Sequence, residues 1–576
     1  MADTLIEETD RRFRGDYWTP PIWVDKSHEY IEEALGDDWK SKYICWDPAA
    51  GALNLTRDYM FDELYCSTLF QEELDIAAEY NPEATKFQYD FLNDDMILHD
   101  EGMTGERALE LARAGQLKMP LALVEAMAAN KPIVFYANPP YGQATSAMGK
   151  AHKPGVSATA VTDLMEGLGH AKGELYTQFI WRAKELAKVF GYTSDFHICF
   201  FTKAKFLPSP HFQTFNIEFF SEFEYVSGFL MNAGEFNGTS SVWPISFFVT
   251  SIGGSSQSEL PFDVLVSTPS MTIEQSTTWE TDPVTKKSTI SAWLKEVSLS
   301  GVKEETYPLT KNGFDSPTAK SIRCVPHQGS IGYMVNIGSN VQKSDNDLQF
   351  FTMGAAQANG RDITPDNIER VAVTFSIRRA CFELIQSRGE RWIRNEDIFT
   401  QPPESLLTPE FITDCMVYSL FNTKSFQTSL RDYEYAGNTY RVVNEFFPYP
   451  KDAVLTLAQS HTNRTIESDM VCDDERLVHT WLTNHADDIS DEARALLDLA
   501  WEIIEVSFAK RKTFDVVNPK FQVQTWDAGW AQINAMVFGR DRIDDEVYNR
   551  YYNRFRATRR ALGDKIAHAA MAAGVI

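Results

Sequence analysis

A tetrapeptide at the end of a predicted strand carries the clearest chemistry in the sequence. Asn138, Pro139, Pro140 and Tyr141 follow the apolar run PIVFYA, at the carboxyl end where open α/β sheets bind ligands. Two successive prolines fix φ and remove two N–H donors, so the Asn138 and Pro139 carbonyl groups can point into a cleft. The Asn138 side-chain oxygen beside such a carbonyl gives two acceptors for an exocyclic amino group, and Tyr141 offers a flat face to a planar heterocycle. The alternative is a simple Pro-Pro turn that begins with Asn.

A second segment has the features of a small-molecule loop. Residues 42–55 (KYICWDPAAGALNL) contain an apolar strand, an acid, a turn of small residues and a helix start. Such a turn lets a ligand approach the backbone closely, and Asp47 at the strand end can bind an ammonium group or a ribose hydroxyl. The loop contains one glycine, Gly51, so taken alone it is a weak predictor of cofactor binding.

The elements that must position these motifs alternate along the first 250 residues. Short apolar runs separated by helical patterns predict a doubly wound α/β domain. The predicted strands are Tyr43–Trp46, Tyr65–Leu69, Ile133–Ala137, Phe196–Thr202, Glu224–Leu230 and Ile245–Thr250, with a weaker one near Phe87. Helical patterns lie at about 53–64, 72–80, 104–129 and 173–190.

A change of composition predicts three regions. The stretch 251–300 is rich in Ser and Thr, and from Pro409 onward the pattern is mainly helical. We therefore expect an α/β domain at 1–255, a mixed and partly β region at 256–407, and a mainly helical region at 408–576.

With both motifs in this order, the sequence resembles the S-adenosylmethionine-dependent DNA N6-adenine methyltransferases of the NPPY type, in which the cofactor motif precedes the catalytic motif. The resemblance covers about residues 13–250 and implies a seven-stranded, Rossmann-like methyltransferase sheet. It implies that Asn138, Pro139, Pro140 and Tyr141 are catalytic. The cofactor residues that it implies are Tyr17, Thr19 and Pro20 in a Y-x-T-P-P segment, Asp47, Pro48, Ala49 and Gly51 in the loop, and the pair Asp90 and Phe91.

One family feature has no obvious counterpart in the sequence. The family usually has an acidic residue at the end of the second strand, which holds the ribose hydroxyls. The corresponding stretch here is YCSTLFQEELDIA, in which Thr68, Gln71 or Glu72 could serve.

The resemblance implies methyl transfer to the N6 amino group of an adenine, with neither a metal nor a covalent intermediate. The adenine must be flipped out of the duplex, and Tyr141 and Phe236 would replace its lost stacking; Phe236 is equally compatible with an ordinary core position. Two other functions stay open. One is an RNA adenine or protein-glutamine N-methyltransferase, and the other is a non-catalytic DNA-binding subunit on the same fold.

Charge is distributed unevenly along the chain. The formal net charge is −27, and the first hundred residues hold 24 acidic against 8 basic side chains. Near the end, by contrast, Arg550, Arg554, Arg556, Arg559 and Arg560 interleave with tyrosines and a phenylalanine. This strip could grip the phosphates of double-stranded DNA. Alternatively, it is an amphipathic helix with its aromatics turned inward and its arginines paired with carboxylates.

Cysteine usage and hydropathy favour a cytoplasmic protein. The seven cysteines are scattered singly, which fits a reducing compartment. The first residues lack the apolar core of a signal peptide, and no apolar run approaches the roughly 20 residues that span a bilayer. The eleven histidines form no H-E-x-x-H pattern, so no metal site is expected. A separate restriction or defence partner is compatible with all of this.

Overall fold

The computed structural model describes residues 18–142, 159–236, 239, 242–254, 258–300, 302–303, 324–325, 328–336, 338–346, 348–352, 360–435, 438–542 and 544–576. These residues form two compact units. The first runs to Lys286 and takes in the later segment Arg391–Asp397, and the second comprises Lys287–Glu390 and Ile398–Ile576. The first unit thus extends past the boundary expected near residue 255, and the second includes both the mixed and the helical segments.

The first unit is built on a sheet that has nine strands among the described residues, in the order β3-β2-β1-β4-β5-β7-β6-β8-β9. Strands β3, β2, β1, β4 and β5 are parallel, whereas β7 is antiparallel to both β5 and β6. The bounds are β1 Ile44–Asp47, β2 Leu64–Thr68, β3 Thr85–Gln88, β4 Ile133–Ala137, β5 Phe196–Lys203, β6 Phe223–Asn232, β7 Pro244–Ile252, β8 Leu260–Ser267 and β9 Ile273–Thr281. The predicted α/β class is confirmed.

The two extra strands correct the expectation of seven. Strands β8 and β9 form an antiparallel hairpin, and β8 pairs in parallel with β6, so that β9 is the edge strand. The late segment Arg391–Asp397 joins the same unit: Ile393 packs in its core, and Asp397 accepts a hydrogen bond of 2.9 Å from the indole of Trp279. The first unit is therefore not one continuous stretch of the sequence.

Helices cover both faces of the sheet. Alternate strand residues enter two separate cores: Ile133 and Phe135 pack on one face, and Val134 and Tyr136 on the other, as expected for strands buried on both sides. The helices of this unit are α1 Pro21–Leu35, α2 Trp39–Lys42, α3 Gln71–Ile76, α4 Gly105–Arg113, α5 Leu121–Ala128, α6 Val161–Leu164, α7 Leu175–Phe190 and α8 Gln213–Phe220.

Two helical expectations for this unit were wrong. The pattern at 104–129 is two helices, α4 and α5, separated by a turn that contains Gly115 and Pro120. Residues 53–64 are mostly turns, and Leu53 at the start of this segment has a positive φ of 61°, outside the right-handed helical region. Helix α1, which the sequence pattern did not predict, begins with Pro21 in its first turn, a position where proline needs no N–H.

The second unit is mainly helical, with small sheets. Its helices are α9 Ile290–Lys295, α10 Lys343–Asn346, α11 Ile368–Ser387, α12 Pro409–Leu420, α13 Lys451–Ser460, α14 Arg464–Asp469, α15 Leu477–Asn484, α16 Asp491–Ser507, α17 Arg511–Val517, α18 Trp530–Phe538 and α19 Asp545–Ala572. Its strands are β10 Val302–Lys303, β11 Cys324–Val325, β12 Gly332–Val335, β13 Gln349–Phe351, β14 Gly360–Ile363, β15 Ser425–Phe426, β16 Leu430–Tyr435 and β17 Asn438–Val442.

Helix α11 lies at the centre of the second unit, where most of its residues are buried. It packs against α12 and α19, as expected for a helix that is apolar around most of its surface. Within the described ranges, no helix is both long enough and apolar enough to cross a bilayer.

Candidate active site

A cleft of about 210 Å³ opens at the carboxyl ends of four adjacent strands of the first unit. Strands β1 and β4 are neighbours, but the chain leaves β1 toward β2 and leaves β4 toward β5. Such a reversal is the point at which open α/β sheets bind ligands. The cleft brings together Thr19, Asp47, Pro48, Ala49, Gly51, Asp90, Phe91, Asn138 and Pro140, all of which the sequence predicted as site residues.

Asp47 ends β1 with a carboxyl group that is only half satisfied. Its Oδ1 accepts a hydrogen bond of 3.0 Å from the Ala49 N–H, whereas its buried Oδ2 has no partner among the described residues. Burial raises the pKa of this carboxyl to about 8, against the opposing effect of the Ala49 N–H. A cation or hydroxyl donor in the cleft would therefore complete an acceptor that the fold leaves open.

The loop after Asp47 leaves room for a ligand beside its backbone. Gly51 has a positive φ of 49°, which glycine adopts without strain. Apart from Gly51 and its two chain neighbours, no heavy atom of the described structure lies within 4 Å of the position that a Cβ would take there. Pro48, Ala49 and Gly51 all line the cleft, as the predicted small-residue turn requires.

Asp90 and Phe91 follow β3 and form another part of the wall. The Asp90 carboxylate accepts hydrogen bonds from the Leu92 N–H at 3.0 Å and from the Asn93 amide at 2.8 Å. Each carboxylate oxygen has more than one lone pair, so these bonds orient Asp90 and leave it able to accept another. The ring of Phe91 stacks on Phe179, with centroids 5.1 Å apart.

The acid that lines the cleft after β2 is Glu73 of α3, which was not among the residues predicted from the sequence. Glu73 and Thr68 both line the cleft, and the Thr68 hydroxyl donates to Oε2 of Glu73. Gln71 and Glu72 are exposed and lie outside the lining, and the Gln71 amide donates to Asp75 at 3.0 Å. Successive side chains in the first turn of α3 point about 100° apart, since the helix has 3.6 residues per turn. Of Gln71, Glu72 and Glu73, therefore, only Glu73 faces the cleft.

A hydrogen bond joins the predicted cofactor segment to the predicted catalytic tetrapeptide. The Asn138 amide nitrogen donates to Thr19 Oγ1 at 3.0 Å, and the Tyr141 hydroxyl donates to Asn138 Oδ1 at 2.6 Å. Because both ends of the amide are held, its orientation is fixed. An amide oxygen has two lone pairs, so Oδ1 can accept a second hydrogen bond.

Basic and aromatic side chains surround Tyr141. The Lys203 ammonium, at the end of β5, donates to the Tyr141 carbonyl at 2.7 Å and lies 4.0 Å from the buried Glu174 carboxylate. The Trp243 ring, which is partly exposed, lies edge-on to Tyr141 at a centroid distance of 6.3 Å. Neither Lys203 nor Trp243 was predicted from the sequence, although the sequence has an aromatic residue just before β7.

Other predicted site residues lie elsewhere. Tyr17 falls outside the described residues. Pro20 lies at the start of α1, where its carbonyl accepts the Trp23 N–H at 2.9 Å, and Pro139 is buried. The Phe236 ring is fully buried in an apolar cluster that also contains Tyr141, which is the environment of a core residue.

The arginines predicted to contact DNA lie on α19 of the second unit, and they do not share one environment. Arg559 is only 12% exposed and pairs with Glu383 at 2.9 Å, so it has the internal role of the alternative interpretation. Arg554 is half exposed and lies 3.4 Å from Glu502. The remaining three are exposed, and they are Arg550, Arg556 and Arg560.

The aromatic residues of α19 also follow the amphipathic interpretation. Tyr551 and Phe555 are buried, and Tyr548 stacks on Tyr552 with centroids 4.8 Å apart. The aromatics thus pack inward or on each other, and only part of the arginine strip faces solvent.

Comparison by sequence finds no matching family model and no similar curated protein. Among solved structures, a DrdV–DNA complex matches with a TM-score of 0.33 and 13% identity over 59% of this chain and 36% of the other. The methyltransferase subunit of a type I restriction-modification system from Streptococcus thermophilus matches with a TM-score of 0.27 and 12% identity, over 44% of this chain and 48% of the other.

A shorter protein is covered almost completely. An S-adenosylmethionine-dependent methyltransferase from Anabaena variabilis matches with a TM-score of 0.19 and 11% identity, over 41% of this chain and 97% of the other. The match with the DrdV chain spans about a third of that chain, and the match with the Streptococcus subunit about half. Similarity at this level leaves the activity to be argued from the residues of the cleft.

Proposed function

We propose that the first unit binds S-adenosylmethionine and transfers its methyl group to the N6 amino group of an adenine flipped out of DNA. The observation that carries the proposal is the hydrogen bond between Thr19 and Asn138. It puts an oriented amide, which can accept from an amino group, on the wall of the cleft that also holds Asp47 and Asp90.

The donor set of the cleft suits each part of this cofactor. We assign Asp47 to the ammonium group, because its buried Oδ2 lacks a partner among the described residues and an ion pair would stabilise its charged form. Glu73 is assigned to the ribose hydroxyls, Asp90 to the adenine amino group and Phe91 to the adenine ring. Bound S-adenosylmethionine would supply an electrophilic methyl group.

The tetrapeptide has the groups that an adenine amino nitrogen needs. That nitrogen is a poor nucleophile, because its lone pair is delocalised into the ring. Asn138 Oδ1 and the Pro139 carbonyl would accept its two N–H groups and favour a pyramidal nitrogen with a localised lone pair. Thr19 and Tyr141 hold the Asn138 amide in place, so this is catalysis by positioning and fixed dipoles.

The target base and the DNA would engage further surfaces. The partly exposed Trp243, which lies beside Tyr141, is proposed to stack on the flipped adenine. Tyr141 is only 4% exposed and is proposed to hold Asn138 beside the base. The second unit is proposed to supply target recognition and DNA contact, through the exposed Arg550, Arg556 and Arg560 of α19.

A labelling experiment tests the proposal against the other acceptors. The protein and radiolabelled S-adenosylmethionine are incubated together in three separate reactions, which contain plasmid DNA, total RNA or a protein mixture as the acceptor. We expect label in the DNA with the parent protein and none with Asn138→Ala, which should still bind S-adenosylhomocysteine. Label in RNA or protein alone, or full DNA labelling by the variant, would overturn the proposal.

A further inference from the structure

A second cavity has a volume of about 340 Å³, and all of its lining residues belong to the second unit. Its walls come from the turn between α12 and β15, from one face of α18 and the residues just after it, and from Phe555 of α19. Pockets that bind small ligands usually have volumes of roughly 300–1,000 Å³, so this cavity is large enough to hold one.

Small side chains on one face of helix α18 leave room for the cavity. Trp530, Ala531, Asn534 and Ala535 lie on the face of α18 that lines the cavity, at the i, i+4 spacing that aligns side chains. Trp530 and Asn534 place larger side chains on this face, whereas the two alanines contribute only methyl groups. The cavity thus exists where large side chains would otherwise fill the helix surface.

Aromatic rings form much of the wall. The centroids of Trp530 and Phe555 are 4.7 Å apart, and Phe421 lies edge-on to Trp530 at 5.1 Å. Phe426 and Phe521 complete the aromatic lining. Flat aromatic walls favour a flat, conjugated ligand, because rings gain from stacked and edge-to-face contacts.

Three polar side chains of the lining are not engaged. Asn534, Arg540 and Asp541 make no hydrogen bond or ion pair with any part of the chain that the structure describes. By contrast, the Asn422 side chain in the same wall donates to Glu383 and accepts from the Lys424 N–H. An amide, a guanidinium and a carboxylate are therefore available together at one aromatic cavity.

The turn after α18 brings two of these groups to the cavity. The helix ends at Phe538 and is capped by Gly539, whose N–H donates to the Ala535 carbonyl at 3.2 Å. A Cβ at Gly539 would lie 2.3 Å from that carbonyl oxygen, so only glycine allows so close an approach. Arg540 and Asp541 follow at once and line the same cavity as Asn534.

We propose that this cavity is a second binding site, and that its ligand is a purine nucleotide. The aromatic walls would take the base, and the Asn534 amide matches the donor–acceptor pair at N6 and N7 of adenine. Arg540 suits a phosphate, and Asp541 can accept from ribose hydroxyls. The proposal goes beyond methyl transfer and rests on no residue of the cleft in the first unit.

The experiment measures binding of adenosine 5′-monophosphate to the full chain by calorimetry. The parent protein and all variants also carry Asp90→Ala, which removes the carboxylate assigned to adenine in the cleft of the first unit, so that nucleotide binding there does not contribute. The variants are Asn534→Ala, which removes the amide, and Ala535→Leu, which fills the cavity. Asn553→Ala is the matched control, since Asn553 is exposed on α19 and lies outside the cavity lining.

We expect the parent protein and Asn553→Ala to bind the nucleotide equally. Asn534→Ala should bind about tenfold more weakly or worse, as expected for the loss of a bidentate contact to a base, and Ala535→Leu should not bind. Asn534 lies at a half-exposed position, so its variant keeps the test informative if Ala535→Leu fails to fold. No binding to the parent protein, or equal binding to all four proteins, would overturn the proposal.

A second arm identifies the source of the nucleotide. The same four proteins are titrated with a single-stranded oligodeoxyadenylate under identical conditions. Tighter binding of the oligonucleotide, lost in Asn534→Ala, assigns the cavity to an unpaired base of DNA, whereas tighter binding of the free nucleotide assigns it to a small-molecule ligand. Oligonucleotide binding that is the same in all four proteins, with no binding of the free nucleotide, would refute the site.

Discussion

Asp47 should make cofactor binding depend on pH in a way that its amide variant abolishes. The carboxyl is buried with an unpartnered Oδ2, and burial raises its pKa to about 8. Only the ionised form can pair with the cofactor ammonium. Affinity for S-adenosylhomocysteine, which carries the same ammonium, should therefore fall as the pH falls below about 8, in proportion to the ionised fraction of Asp47.

The size of the effect follows from that pKa. With a pKa of about 8, half of the carboxyl groups are ionised at that pH. At two units lower only about one in a hundred is ionised, so the apparent Kd should rise about fifty-fold, or about 2.3 kcal/mol. At one unit below the pKa, binding should release about 0.9 proton from Asp47.

Calorimetry measures both quantities. Kd values are collected across this pH range for the parent protein and for Asp47→Asn, and proton release is obtained from buffers of different ionisation enthalpy. The ammonium group of the ligand titrates equally with both proteins, so the ratio of the two Kd values isolates Asp47. The variant should bind weakly, with a ratio to the parent that shrinks toward low pH.

Two results would refute this reasoning. A constant ratio of the two Kd values across the range would show that Asp47 does not change its ionisation on binding. Equal proton release by the parent and the variant would have the same meaning. Either result would remove Asp47 from contact with a cationic part of the ligand.

Three further predictions concern Glu73 and Lys203, which were not predicted from the sequence, and the arginine pair Arg559 and Arg560, which the structure places in different environments. Glu73→Gln should weaken S-adenosylhomocysteine binding about tenfold in calorimetry, because charged acceptors make stronger hydrogen bonds to hydroxyls, whereas Glu72→Gln should have no effect. Lys203→Met should lower kcat for methyl transfer about tenfold, through loss of its bond to the tetrapeptide, with cofactor affinity unchanged in calorimetry. Arg560→Glu should weaken DNA binding in fluorescence anisotropy and reduce its salt slope by about one or more, whereas Arg559→Glu should lower the unfolding free energy by about 3 kcal/mol or more, because it breaks a buried ion pair. Equal affinities of Glu73→Gln and Glu72→Gln would contradict the role of Glu73, and an unchanged kcat in Lys203→Met would contradict that of Lys203. A loss of stability in Arg560→Glu with a loss of DNA binding only in Arg559→Glu would contradict the assignment of the two arginines.

The sheet of the first unit was predictable because buried parallel strands leave a strong local signal. Each of the seven predicted strands is present, and Ile133–Ala137 has the predicted bounds. The site residues at strand ends followed from the same signal, since the carboxyl ends of parallel strands meet at one edge. Asp47 and Asn138 therefore line one cleft, although about ninety residues of sequence separate them.

Contacts between distant segments were not predictable. Residues 260–281 join the sheet through pairing of Leu230 with Val264, and Arg391–Asp397 joins the first unit through packing of single side chains such as Ile393. Neither contact leaves a periodic pattern in the sequence. In the part of the chain that the structure describes, the main sheet therefore has nine strands and the residues form two units, where local patterns indicate seven strands and three regions.

The direction of individual side chains in the site was likewise not predictable from the sequence. Choosing among Gln71, Glu72 and Glu73 needs the helical phase of α3, and one residue of error turns a side chain by about 100°. The separation of Arg559 from Arg560 depends likewise on which face of α19 meets Glu383. Residue type limits the chemistry that can be proposed, but the direction of each side chain depends on packing.

One measurement tests the central claim most directly. Plasmid DNA is treated with the parent protein or Asn138→Ala in the presence of S-adenosylmethionine, digested to nucleosides and analysed by mass spectrometry. The proposal predicts N6-methyldeoxyadenosine from the parent protein alone, with both proteins binding S-adenosylhomocysteine equally. Methylation at cytosine, equal N6-methyldeoxyadenosine from both proteins, or unmodified DNA from a parent protein that binds both the cofactor and the DNA would contradict it.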